Sequence, residues 1–199
     1  MQKIPTLFVR DPEDRRYVLD LVSPGCEWVA AGEGVATRKY DGTCVMFDGA
    51  AWWARREVKP GNTPPPGFRA VSTDDVTGRT VGWEPVGQSS FAKFHGEALA
   101  NIGQLVDPSK PFHAGTYELI GPKINGNPEG RPGHWLVAHA EADVISLPGR
   151  TFEELRTTVL KLAEVDHGEG LVFHHPDGRM AKIKARDFPR GAGSGARAR

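Results

Sequence analysis

The period of hydrophobic and polar positions changes several times along the chain, and each change marks a predicted element. Residues 11–22 open on Asp11-Pro12-Glu13-Asp14. A capping side chain, a proline at the first helical position and acids in the first turn predict a short helix. Residues 35–58 read as two strands around Asp48-Gly49, a hairpin turn signal. Residues 59–78, rich in proline and glycine and poor in apolar side chains, read as a loop. Phe91, Phe94, Ala98, Leu99 and Ile102 recur at near-helical spacing and predict a helix between Ser89 and Leu105. Strands follow near Gly115–Ile120 and His134–Ala140, separated by the Gly/Asn/Pro-rich segment 121–133. Thr151-Phe152-Glu153-Glu154 is a capping box, and Leu155, Val159 and Leu162 mark the apolar face of a helix to about Val165. Gly170–His174 and Arg179–Ala185 predict a second hairpin around Pro176-Asp177-Gly178. Hairpins with a few separate helices predict an α+β fold with mostly antiparallel sheets. The expected organisation is one domain over 1–190 and a disordered tail, Gly191 to Arg199, which has no apolar periodicity.

Composition narrows the class. The chain has 199 residues, and its 24 Gly and 16 Pro argue against a helical bundle and for short strands joined by loops. No stretch approaches the roughly 18 consecutive apolar residues of a membrane helix, and the charged N-terminal segment does not read as a signal peptide. Cys26 and Cys44 form no CxxC pair and make a poor disulfide framework. A soluble, cytoplasmic protein is expected. The net charge is zero but unevenly spread. From Arg179 to Arg199 seven bases face one acid, Asp187, giving this stretch +6 and the remainder −6. Such a basic end suits a phosphate site, or simply a solubilising tail.

Four short constellations carry candidate chemistry: Lys39-Tyr40-Asp41-Gly42-Thr43 at the start of a strand, Glu118 within the apolar run Tyr117 to Gly121, Glu169 leading Gly170-Leu171-Val172-Phe173, and Lys182-Ile183-Lys184. Strand period places Lys182 and Lys184 on one face and Ile183 on the other. Each alone reads as a solvated strand end. Gly32 and Gly34 lack the third glycine and following helix of a dinucleotide loop. His174-His175 and the pair His134 and His139 lack partners at metal spacing and read as structural. His95 and Glu97 read as helix surface, and Trp52, Trp53, Trp83 and Trp135 as core.

In this order, the four blocks resemble the motifs of covalent nucleotidyltransferases, the superfamily of polynucleotide ligases and mRNA capping enzymes. A closer resemblance is to the RNA ligase 1-type family of ATP-dependent RNA ligases. It is carried by Lys39 to Cys44, Trp53-Ala54-Arg55, Gly82 to Val86, Glu118 to Gly121, Ile124 to Pro128 and Glu169 to Phe173. The resemblance spans roughly residues 35–188. It implies a nucleotidyltransferase fold, two packed and mostly antiparallel sheets with flanking helices, and an ATP-dependent ligase acting on 5′-phosphate and 3′-hydroxyl RNA ends.

The implied nucleophile is Lys39, with Lys182 and Lys184 as catalytic partners. Thr37, Asp41, Gly42, Arg55, Lys59, Glu118 and Glu169 are implied nucleotide contacts; Glu118 and Glu169 either bind a ribose hydroxyl or hold a hydrated Mg²⁺ or Mn²⁺. An amine must attack the α-phosphorus of ATP, yet a free Lys, with a pKa near 10.4, is mostly protonated at neutral pH. Nearby cations favour its neutral form and offset charge building on the phosphate. A two-residue turn at Asp48-Gly49 would pair 41 with 56 and put Arg56 on the Lys39 face; one extra residue would give Arg55, which the family block matches. The same reasoning at Asp177-Gly178 pairs 171 with 184. A DNA ligase or capping enzyme is expected to carry a further domain after the last Lys motif, where 15 residues remain here. A non-catalytic RNA-binding relative would not need a nucleophilic Lys. Oligomeric state has no signature in the sequence.

Overall fold

The computed structural model describes residues 3–103 and 112–189. The predicted tail 191–199 and residues 104 and 105 of the predicted helix lie outside the described residues. In chain order the elements are strands β1 (Phe8–Arg10) and β2 (Val18–Val22), helix α1 (Glu27–Ala30), strands β3 (Val35–Lys39), β4 (Thr43–Phe47), β5 (Trp52–Val58), β6 (Arg69–Thr73) and β7 (Thr80–Pro85), helix α2 (Ala92–Gly103), strands β8 (Gly115–Ile120) and β9 (Trp135–Ala138), helix α3 (Phe152–Asp166), and strands β10 (Gly170–His174) and β11 (Met180–Lys184). The protein is α+β, and every ladder between these strands is antiparallel. Among the described residues no helix is long and apolar enough to cross a membrane.

The chain divides into two compact units. The first contains Tyr40–Asp143 and is built on a six-stranded sheet, ordered β6-β7-β5-β4-β8-β9. Strand alternation sends Val45, Ala54, Tyr117 and Leu119 to one face. There Val45, Tyr117 and Leu119 pack with Ala98 of α2 and Ile124, flanked by Phe47, Trp52, Phe91, Phe94 and Phe112. Cys44, Met46, Trp53 and Glu118 belong to the other face.

The second unit, Ile4–Lys39 with Val144 onward, holds the three-stranded sheet β11-β10-β3 and the hairpin β1-β2. Ala36, Leu171, Phe173, Ala181 and Ile183 pack with Leu155, Val159 and Leu162 of α3. The Thr151 capping box starts α3 as its sequence requires: Thr151 Oγ1 accepts from Glu154 N–H, and Glu154 Oε2 accepts from Thr151 N–H.

Four expectations are corrected. Residues 11–22 are a turn and a strand, not a helix: Asp11 Oδ1 accepts from Glu13 N–H and Asp14 Oδ1 from Arg16 N–H, so both acids close turns instead of capping a helix. The strand predicted from residue 35 stops at Lys39 and a new one begins at Thr43 in a different sheet. The segment 59–78 contains β6, an edge strand with a bulge between Ala70 and Ser72. Finally, both hairpin connections are longer than two residues. Phe47 pairs with Trp52, because Asp48 Oδ1 accepts from the N–H groups of Ala50 and Ala51 and holds a four-residue loop. His174 pairs with Met180, so Lys184 lies opposite Gly170 and not Leu171.

Candidate active site

In the second unit the candidate side chains lie on the sheet face opposite α3. The register aligns Lys39, Gly170 and Lys184 in one row across three strands, and Thr37, Val172 and Lys182 in the next row on the same face. Three lysines and a threonine therefore share one surface, with their apolar neighbours turned into the core. Glu169 precedes β10 and reaches over Gly170 to pair with both Lys39 and Lys184. Its backbone N–H donates to the Lys39 carbonyl at 3.1 Å. Gly170 is needed for that close approach: a Cβ there would meet the Ile183 carbonyl oxygen and stand 2.7 Å from Lys184 Cα. Arg186 adds a longer contact to Glu169, at 3.8 Å.

Burial works to raise the Glu169 pKa, but the Lys39 charge and the hydrogen bonds from Lys184 and Lys39 outweigh it and hold the carboxyl below the usual range. The outcome is a carboxylate fixed between two ammonium groups. Thr37 is buried beside them; its Oγ1 lies 3.3 Å from the Val172 carbonyl and 3.0 Å from His174 Nε2. His174 thus belongs to this polar face, a placement that its spacing in the sequence did not reveal.

In the first unit Asp41 and Gly42 are gripped by side chains from distant segments. Asp41 N–H donates to Glu129 Oε1 at 2.8 Å. Asn125 Nδ2 donates to Asp41 Oδ1 at 3.0 Å and to the Gly42 carbonyl at 2.8 Å. Gly42 N–H donates to Glu118 Oε1 at 3.1 Å. A Cβ at Gly42 would meet the Leu119 carbonyl oxygen and stand 2.8 Å from Glu118 Cγ, which explains glycine after Asp41. Asn125 adopts φ of 48°, a left-handed backbone that Asn tolerates and that lets the loop deliver its amide. Asn125 and Glu129 lie 84 and 88 residues from their partners, so no local pattern announces them.

The Arg55 and Arg56 alternatives separate cleanly. Val45 pairs with Ala54 and Cys44 with Glu118, so the next position, Arg55, falls on the Glu118 face. Arg56 points the other way, 3.8 Å from Glu84. The premise that Lys39 shares the β4 register does not hold, since Lys39 ends β3 in another sheet. Lys59 is exposed in the loop after β5. His95 is buried, packed edge-on to Trp52 at 4.8 Å between ring centres, instead of lying on the helix surface. Glu97 pairs with His134 at 2.7 Å.

Among the described residues no group of three or more His, Cys, Asp or Glu is placed to hold a metal ion. The oxygens of Glu118 and Glu169 each already accept a proton donor. Each carboxylate is therefore suited to a divalent cation only through that cation's own water molecules, not by direct ligation.

The family model for RNA ligase 1 matches residues 92–189. That span holds Glu118, Glu169, Lys182 and Lys184. RNA ligase 1 from Danio rerio is 28% identical over 155 residues, covering 66% of this chain and 45% of that protein. Both matches support an RNA ligase 1-type family. The chain spans rather less than half the length of the curated relative it matches.

Proposed function

We propose that this chain is an ATP-dependent RNA ligase with a nucleotidyltransferase fold, joining 5′-phosphate and 3′-hydroxyl RNA ends through an AMP held on Lys39. The observation that carries this reading is the row Lys39–Gly170–Lys184 with Glu169 paired to both lysines. Glu169 holds the amine in place, while Lys184 supplies a second cation that favours loss of the Lys39 proton and faces phosphate.

In the first step the Lys39 Nζ lone pair attacks the α-phosphorus of ATP. Paired with Glu169 the amine is an ammonium, so it first loses one proton to solvent. The P–N bond then forms, the bond to the bridging oxygen breaks, pyrophosphate leaves with its electron pair, and Nζ releases a second proton to solvent. Glu169 holds the amine in place before attack. Lys184 and Lys182 face the developing negative charge. In the second step an oxygen of an RNA 5′-phosphate attacks the same phosphorus and the P–N bond breaks as nitrogen takes up a proton from solvent, returning Lys39 as an amine. In the third the 3′-hydroxyl attacks the RNA 5′-phosphorus, AMP leaves, and the hydroxyl proton is lost to solvent. Thr37, Arg55 and Lys59 are proposed nucleotide or phosphate contacts, and Asp41 and Gly42 shape the turn after the nucleophile. Glu118 and Glu169 are each proposed either to hold a Mg²⁺ or Mn²⁺ through its waters or to bind a ribose hydroxyl; the metal would neutralise phosphate charge.

The test is to offer the purified chain α-labelled ATP or GTP with Mg²⁺, then 5′-phosphorylated RNA or DNA strands. Label from ATP on the protein, passed to the RNA end and lost as AMP on sealing, is expected. Label from GTP alone would turn the reading to a capping reaction, and transfer only to DNA to a DNA ligase. No label on protein shown free of bound AMP would overturn catalysis and favour an RNA-binding role.

A further inference from the structure

His139 follows β9 directly, and the pairing of Ala138 with Tyr117 delivers it beside Thr116 and Glu118 on β8. These two residues are two apart in a strand and so share a face, opposite the core positions Tyr117 and Leu119. His139 Nε2 lies 3.0 Å from Glu118 Oε2, and His139 Nδ1 lies 2.9 Å from Thr116 Oγ1.

The carboxylate fixes which ring nitrogen carries a hydrogen toward it. An ionised carboxylate only accepts, so Nε2 must carry the hydrogen that Glu118 receives. A neutral ring then accepts the Thr116 hydroxyl at Nδ1, and a protonated ring donates from Nδ1 to Thr116 Oγ1; in both cases Nε2–H points at Glu118. The imidazole is held at both nitrogens and cannot turn. Glu118 meanwhile receives Gly42 N–H on its other oxygen at 3.1 Å. Among the described residues each Glu118 oxygen thus has one donor and a lone pair remaining. With two fixed donors, the carboxylate plane and the direction of those lone pairs are set before any ligand arrives.

We propose that His139, oriented by Thr116, is a positioning residue for Glu118, aiming the lone pairs with which Glu118 accepts a proton donor brought by the nucleotide. The inference rests on the nucleotidyl-transfer reading above. The donor is a ribose hydroxyl or a metal-bound water, which share the same chemistry toward a carboxylate. An outer partner of this kind typically changes affinity or activity by roughly 10–100-fold when removed.

The test uses the full chain and four variants, His139→Ala, His139→Gln, Thr116→Val and Glu118→Ala, at one pH. KM for ATP and kcat for labelling of Lys39 are measured alongside imidazole ¹⁵N NMR. His139→Ala should lower kcat/KM roughly 10–100-fold. His139→Gln, whose amide still donates to Glu118, should recover most of it, and Thr116→Val should fall between. The wild-type His139 resonance should report the Nε2–H tautomer, and Glu118→Ala should abolish that preference. If 2′- or 3′-deoxy-ATP erases the penalty of His139→Ala, the donor is that ribose hydroxyl; if neither does, it is metal-bound water. Wild-type labelling by His139→Ala would overturn the proposal while leaving nucleotidyl transfer intact, as would no rescue by His139→Gln. If the wild type takes no label, transfer itself fails, and an Nδ1–H tautomer would separately refute the pairing.

Discussion

Replacing Glu169 by Ala is expected to cost the protein about 3 kcal/mol, the lower end of what breaking a buried ion pair by removing one partner costs. The Lys39 and Lys184 side chains are 19% and 14% exposed. Without Glu169 two ammonium groups would face each other across Gly170, poorly hydrated and without their shared counter-ion. At 2–4 °C per kcal/mol for a chain of this size, thermal unfolding at pH 7 should show a Tm lower by roughly 6–12 °C. The effect has a definite pH sign. The folded-state pKa of Glu169 is depressed, so its contribution is present above the unfolded carboxylate value, about 4.3, and is lost as pH falls through the lower folded value. The gap between wild type and Glu169→Ala should therefore be constant near neutrality and close in acid. Equal Tm values at pH 7 would remove Glu169 from the centre of the row.

The second large effect is expected for Gly170→Ala. The three atoms nearest the added Cβ would all be backbone: the Ile183 carbonyl oxygen and carbon, and Lys184 Cα at 2.7 Å. Backbone cannot turn aside as a flexible side chain does, so β10 and β11 must part at the point that aligns Lys184 with Lys39. Overpacking of this kind costs about 1–3 kcal/mol, and misalignment of the row should remove most labelling of Lys39. Gly87→Ala is the control, with nothing within 4 Å of its added Cβ. A Gly170→Ala protein with the wild-type Tm and labelling rate would show that the close approach is dispensable.

Features with local causes were legible in the sequence. The capping box at Thr151 needs only residues three apart, and α3 starts there. The strands expected at Gly115–Ile120 and Gly170–His174 are β8 and β10 with the same bounds. The β1-β2 region was misread because Asp11-Pro12 looks the same whether an acid caps a helix or closes a turn. The turn wins here because Val18, Leu19, Leu21 and Val22 then supply a strand. Hairpin registers depended on loop length, which the side chain of Asp48 sets by bonding two following amides. One unforeseen residue in the Asp177-Gly178 connection moves Lys184 from Leu171 to Gly170, and so brings it into the Lys39 row. At the candidate site the charged residues stood out by type and order. Their holders did not: Asn125, Glu129 and His139 find Asp41, Gly42 and Glu118 only after the sheet has formed.

The most direct measurement is the intact mass of the wild-type chain and of Lys39→Ala after incubation with ATP and Mg²⁺, followed by mapping of any modified peptide. Wild type should gain one AMP, lost in acid as a phosphoramidate requires and located on Lys39, while Lys39→Ala should gain none. An adduct on another residue, or an equal gain by Lys39→Ala, would contradict the assignment of Lys39 as the nucleophile.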